Sequence, residues 1–226
     1  MLGHANCVAA SQKKSRPFSH PLEHRGQRRY TNEFGMRIIA GRFKGLRLIS
    51  PRSGGVRPTS DRVREALFSV LGRAIEGSKV LDLFAGTGAF GFEALSRGAR
   101  FAFFVDKDRQ CTELLRRNAE SLGIADKTEI LNSDALAALK KPAKQNEKFE
   151  IVFLDPPYGS DWIEKVTFDP LFPEIISSGG LLVIETKFGN EPRTAPCFEK
   201  EFSRKYGGTL IEIFEFKSEF TQHTKG

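Results

Sequence analysis

From Met36 onward the chain alternates short apolar runs with amphipathic stretches. Five runs have strand length: Lys79–Phe84, Phe101–Val105, Thr128–Leu131, Glu150–Leu154 and Leu181–Glu185. Helical patterning separates them, through about Ser96, over Arg109–Leu122, after Asp134, and near Trp162–Val166 and Pro173–Ile176. Continuous apolar strands divided by helices predict an α/β fold with a mostly parallel sheet covered on both faces. Tyr206-Gly207-Gly208, flanked by Phe202–Lys205 and Leu210–Phe216, predicts a terminal hairpin.

Upstream, Arg37–Ala40 and Leu46–Ser50 read as two short strands around Gly41 and Gly45, a hairpin. Pro51, Gly54, Gly55 and Pro58 mark a loop. Thr59 or Ser60 can cap a helix starting near Asp61, with Val63, Leu67, Val70 and Leu71 on one face. The organisation expected is a disordered or non-native extension over 1–35, a basic N-terminal arm (hairpin plus helix) over 36–76, a main domain over 77–218 and a tail over 219–226. Residues 1–35 are polar, hold three of the four histidines and show no period. Translation starting at Met36 would explain them equally.

Charge sharpens this division. The net charge is +7. Residues 1–35 carry +4 (six basic, two acidic) and residues 36–65 carry +6 (eight basic, two acidic), which leaves 66–226 at −3. A mildly acidic body with a basic arm points to a polyanion partner whose phosphates the arm would contact. No run approaches the roughly 20 apolar residues of a membrane helix. Cys7, Cys111 and Cys197 are far apart, with no CxxC pair. A disulfide framework or zinc site is therefore not expected, and a reducing, cytoplasmic setting is.

The predicted strand ends carry the chemistry, because ligands of such sheets bind beyond the carboxyl ends of the strands. Asp82-Leu-Phe84-Ala-Gly86-Thr-Gly88 is a glycine turn leading into a helix N-terminus. Gly86, Gly88 and Gly91 spell GxGxxG, a weak dinucleotide signal. Asp106 and Asp108 stand where an acid could accept from ribose hydroxyls, which suits NAD and S-adenosylmethionine alike. Asp134 could face an adenine edge or cap the next helix.

Asp155-Pro156-Pro157-Tyr158 discriminates further. Two prolines fix the backbone and remove two N–H donors while keeping their carbonyls. A loop of acceptors beside a carboxylate suits an exocyclic amino group, which can donate to Asp155 and to the Pro156 carbonyl while Tyr158 stacks on the base.

MRIIAGRFKG, VRPTSDRVREALF, LDLFAGTGAFGFEALSRGA, FLDPPY and the YGGT segment together resemble the bacterial 16S ribosomal RNA guanine-N2 methyltransferases. The resemblance runs from Met36 to about Phe216, with Val56 standing where a threonine is usual. It implies a Rossmann-like class I methyltransferase, with a seven-stranded sheet parallel except for one inserted strand. It implies S-adenosyl-L-methionine as cofactor. Phe84, Gly86 and Gly88 would lie against it, with Asp82 near its ammonium, Asp106 on its ribose, and Asp134 and Ala135 at its adenine. Asp155, Pro156, Pro157 and Tyr158 would form the catalytic loop. Arg37, Arg42, Lys44, Arg47 and Arg57 would hold RNA phosphates, Arg57–Arg64 could instead close over the cofactor, and Phe43 could stack on a base or pack. The implied partner is small-subunit rRNA or the assembled particle, for a monomer using no metal. A DNA adenine or cytosine amino-methyltransferase, a nicotinamide-dependent oxidoreductase and a catalytically silent RNA-binding assembly factor are the rival readings.

Overall fold

The computed structural model describes residues 36–50 and 60–221. The expectations for residues 1–35, the loop marked by Pro51 to Pro58, the Thr59 cap, Arg57 and the last residues of the tail lie outside the described residues.

Seven strands form one sheet: β1 (Lys79–Asp82), β2 (Phe101–Asp106), β3 (Thr128–Asn132), β4 (Phe149–Leu154), β5 (Ile176–Lys187), β6 (Phe198–Tyr206) and β7 (Thr209–Phe216). Their spatial order is β3-β2-β1-β4-β5-β7-β6. β1 to β5 pair in parallel, and β7 enters antiparallel between β5 and β6. The terminal hairpin therefore supplies the one reversed strand. Six helices accompany the sheet: α1 (Asp61–Leu71), α2 (Ala89–Ser96), α3 (Arg109–Ser121), α4 (Ala135–Lys144), α5 (Trp162–Thr167) and α6 (Phe172–Ile175).

Side-chain alternation along the strands divides the core in two. Val80, Phe104, Phe153, Val183 and Ile211 join the cluster that holds Leu67 and Phe68 of α1, Phe90 and Phe92 of α2, and Leu115 of α3. Leu81, Val105, Leu154, Ile184 and Phe214 join the cluster that holds Leu139 of α4, Val166 of α5 and Phe172 of α6. Burial on both faces is why the strands read as unbroken apolar runs.

Helix starts follow local chemistry. Val63 N–H donates to the Ser60 hydroxyl at 3.3 Å, Gln110 N–H to Asp108 at 2.7 Å and Ala137 N–H to Asp134 at 2.9 Å. Gly88 and Gly91 are required by close approach: a Cβ would lie 2.5 Å from the Phe92 ring at the first and 2.1 Å from the Phe104 ring at the second. Two letters of GxGxxG thus serve the packing of α2 on the sheet.

Several expected elements are redrawn. The Arg37–Ala40 and Leu46–Ser50 strands reduce to a single antiparallel bridge, Arg37 with Arg47. The two segments still bond to each other, Ile38 N–H to the Leu46 carbonyl at 3.0 Å, Gly45 N–H to the Ile38 carbonyl at 2.9 Å and Leu48 N–H to the Met36 carbonyl at 2.7 Å, while the donors between these are taken by helices. Ile39 N–H donates to Glu93 Oε2 at 2.7 Å, Arg42 N–H to the Ser96 carbonyl at 2.8 Å and Ile49 N–H to Asn118 Oδ1 at 2.8 Å. Phe43 packs, at 8 % exposure in the core of the α1–α3 side, and is not available for base stacking. Val70 is exposed, while Phe68 and Arg64 take the inward positions of α1. β1 ends at Asp82, two residues early, because the chain turns there into the glycine loop. β5 begins at Ile176, five residues early, with a register irregularity against β4 between Phe149 and Ile151. Among the described residues no helix is long and apolar enough to cross a membrane.

Candidate active site

Four acids share one face of the sheet, Asp82 one pleat lower than the others. Asp82, Asp106, Asp155 and Glu185 each stand two residues past a member of the α1–α3 cluster, namely Val80, Phe104, Phe153 and Val183. The pleat aims all four to that face, at the carboxyl ends of adjacent strands. A cavity of about 400 Å³ opens there, lined among others by Phe84, Gly86, Asp106, Asp134, Ala135, Asp155, Pro156, Pro157, Tyr158, Trp162 and Glu185. That volume lies within the usual range for small-molecule sites, about 300–1,000 Å³.

The Asp106 carboxylate is oriented by two backbone donors, Gly86 N–H on Oδ2 at 2.7 Å and Asp108 N–H on Oδ1 at 2.8 Å. Each oxygen keeps a lone pair for a hydroxyl donor. Asp134 caps α4 through Oδ1 and also lines the cavity. Phe84 packs edge-on to Trp162, with ring centroids 5.9 Å apart.

Asp82 and Gly88 do not line the cavity. Asp82 lies beneath its floor, where Oδ2 accepts from Gly91 N–H at 3.2 Å. Its Oδ1 is buried without a hydrogen-bond partner among the described residues. Burial, and secondarily the Asp106 charge, push this carboxyl up to about 7. Asp155 is also held well above the usual carboxylate range, first by desolvation and then by the charges of Glu185 and Asp82. Tyr158 stands on the rim at 43 % exposure.

On the arm, Arg42, Lys44 and Arg47 are exposed and form no ion pair with a described residue. Arg37 differs: its Nε donates to Asp61 Oδ2 at 2.7 Å. Arg64 is buried under the arm, donating through Nη2 to the Arg37 carbonyl and to Asp61, so it does not close over the cavity.

Three contributors escaped the sequence reading. Glu185 is 4 % exposed and extends the strand-end acid rule to β5, so the same rule could have found it. Trp162 opens α5 right after the Pro-Pro loop, a proximity that hinted at a second aromatic wall. Met36 reaches the cavity from the arm, its Sδ 3.6 Å from Thr87 Oγ1; no local signal in the sequence marks it.

A parallel sheet with an inserted antiparallel strand, and an acid-rimmed cavity at its switch point, define the Rossmann-like class I methyltransferase fold. The chain belongs to the family described as "Conserved hypothetical protein 95", matched over residues 36–215. Among its relatives is the Ribosomal RNA small subunit methyltransferase D of Escherichia coli strain K12, 42% identical over 163 residues, covering 72% of this chain and 80% of that protein. The protein of the same name from Haemophilus influenzae is 38% identical over 153 residues, covering 67% and 79%. A solved structure from Escherichia coli, described as a methyltransferase, superposes with TM-score 0.71 at 31% identity, over 81% of this chain and 99% of that one. An RNA methyltransferase from Salinibacter ruber, solved with S-adenosyl-L-homocysteine, shares the fold at TM-score 0.54 and 19% identity, over 71% of this chain and 94% of that one.

Proposed function

We propose that the protein methylates the exocyclic N2 amino group of a guanine in small-subunit ribosomal RNA, with S-adenosyl-L-methionine as donor. The observation that carries this is the convergence of Asp106 and the Asp155–Tyr158 loop on one cavity. The names of the relatives support the substrate class.

The residues present fit the cofactor. The Asp106 carboxylate suits a pair of ribose hydroxyls, the buried Asp82 Oδ1 suits an ammonium, and Phe84 with Trp162 offers apolar cover. When bound, it supplies an electrophilic methyl group on a positively charged sulfur. The protein's task is to present the amino nitrogen, a poor nucleophile because its lone pair is delocalised into the ring. Asp155 and the Pro156 carbonyl accept the two N–H groups and favour a more tetrahedral nitrogen. Tyr158 stacks on the base. Positioning supplies most of the acceleration, and fixed acceptors stabilise the positive charge that develops on nitrogen. The raised proton affinity of Asp155 suits it to take the proton that the amine releases. A base must leave its stack to enter this cavity, which is easier in a loop than in a duplex.

The test offers labelled cofactor with small-subunit particles lacking the modification, with naked rRNA and with duplex DNA. N2-methylguanosine in the ribosomal samples alone is expected. Methylated DNA bases would replace this reading by the amino-methyltransferase of DNA, and cofactor binding without transfer to any acceptor would favour the silent factor.

Two further outcomes are expected. Charge removal at Arg42, Lys44 and Arg47 should weaken rRNA binding and flatten its dependence on salt while cofactor affinity stays near the parent value; an unchanged slope refutes their assignment to phosphates. Cofactor affinity should rise as pH climbs toward about 7 and level off only above it. The sign follows from Asp82: its folded value of about 7 keeps it protonated below neutrality, whereas an ammonium requires the carboxylate. Calorimetric titration in buffers of different ionisation enthalpy should register proton release near pH 6. A pH-independent affinity without proton release would remove Asp82 from the ammonium site.

A further inference from the structure

The turn of the β6–β7 hairpin has no part in the chemistry above, yet the sheet brings it to the same edge as the cavity. Lys187 pairs with Thr209 and Tyr206 with Thr209, so the turn lies beside the carboxyl end of β5, two residues beyond Glu185. Phe188 N–H donates to the Gly208 carbonyl at 3.0 Å and fixes the loop after β5 against this turn. A concavity between α1 and the turn is lined by Arg62, Arg204, Lys205 and Tyr206.

The composition of this surface is specific. Arg62, Arg204 and Lys205 are exposed and form no ion pair with a described carboxylate. Other cations on or just past the same two strands do, such as Lys200 with Glu212 and Lys217 with Glu215. The cations pair with rings instead: Lys205 Nζ lies 3.7 Å from the centre of the Phe188 ring, and the Arg204 guanidinium 5.5 Å from that of Tyr206. Phe188 is 50 % exposed, an unusual position for a phenylalanine at the end of a core strand. The Tyr206 hydroxyl is buried with no hydrogen-bond partner among the described residues.

Cations free of carboxylates and interleaved with aromatic faces are the chemistry of single-stranded nucleic acid binding: cations follow the phosphates and rings stack on bases without regard to sequence. We infer that the β6–β7 turn, with Phe188 and Arg62, is a second RNA-binding surface that holds the single strand flanking the nucleotide delivered to the cavity. It deepens the reading of the protein as an rRNA methyltransferase and rests on it.

The test measures binding of a fluorescein-labelled single-stranded RNA of mixed sequence to the full chain across a salt series. The variants are Arg204→Ala with Lys205→Ala, and separately Phe188→Leu, which keeps an apolar side chain and removes the ring. The altered side chains are exposed, and cofactor binding serves as the check on folding. The charge variant should bind more weakly, with a salt slope shallower by about 0.7 for each phosphate that is no longer neutralised. Phe188→Leu should weaken binding by about fivefold or more at an unchanged slope, since stacking is not ionic. If the parent protein binds this RNA and both variants match its affinity and slope, the surface is not an RNA site, while the methyltransferase reading stands. If the parent protein itself shows no salt-dependent RNA binding, the RNA reading fails together with this inference.

Discussion

Asp155→Asn should lower methyl transfer by about 10²- to 10³-fold, the usual cost of losing one fixed group that meets charge developing in a transition state, while cofactor affinity stays close to that of the parent protein. The amide is nearly isosteric but of the wrong polarity. Its NH2 meets the donors of the substrate amine, and it has no negative charge to offset the positive charge on nitrogen. Single-turnover transfer measured beside cofactor titration separates the two effects. A loss confined to cofactor binding would move Asp155 out of the catalytic loop's function. The same substitution should stabilise the protein at neutral pH and above. Burial and the neighbouring Glu185 and Asp82 charges hold the Asp155 carboxyl well above its usual range, so the ionised form costs the folded state free energy that a neutral amide does not. In the parent enzyme the same shift gives the pH profile its sign. The ionised form of Asp155 is the one that offsets the charge on the amine, so transfer should fall as pH drops through the raised range in which this carboxyl takes up its proton.

Glu93→Ala should be the most damaging change to stability, about 3–5 kcal/mol, the range for removing one partner of a buried charge pair. Glu93 is 1 % exposed. Its Oε1 accepts from Arg97 Nε at 2.7 Å and from Ala40 N–H at 3.1 Å, and its Oε2 from Ile39 N–H at 2.7 Å. Its charge also faces Arg64, buried to 1 % exposure, whose Nε and Nη1 find no partner among the described residues. Removing it leaves Arg97 and two backbone donors without their acceptor and takes from Arg64 one of its two counter-charges. At roughly 2–4 °C per kcal/mol for a domain of this size, the thermal midpoint should fall by about 10 °C. Asp61→Asn should cost less, because Asp61 is 44% exposed and one of its partners, Arg37, is 65% exposed, although the other, Arg64, is buried. Should Glu93→Ala cost no more than Asp61→Asn, the arm is held by Ile38, Phe43 and Leu48 alone. Because Met36 reaches the cavity from the same arm, a weakened arm should also lower cofactor affinity.

The strands could be read because burial on both faces forces unbroken apolar runs, and the helix starts because Ser60, Asp108 and Asp134 bond to backbone two or three residues away. Asp155-Pro156-Pro157-Tyr158 could be read for the same reason: two prolines determine the backbone locally. What anchors the arm's hairpin could not, because Ile39, Phe43 and Ile49 donate to Glu93, Ser96 and Asn118, between 53 and 69 residues away. Arg37 looked like a phosphate ligand until Asp61, 24 residues on, came within reach of it.

By itself, then, the sequence determined the alternation of elements, the acids at three strand ends and the acceptor loop, all properties of short segments. Tertiary structure alone decided that Glu185 joins Asp155 in register, that Asp82 lies under the cavity floor, that Gly88 and Gly91 serve packing, and that the β6–β7 turn lies beside the carboxyl end of β5. Those facts depend on which strands become neighbours, and strand neighbours are chosen by burial summed over the whole sheet, which no local pattern contains.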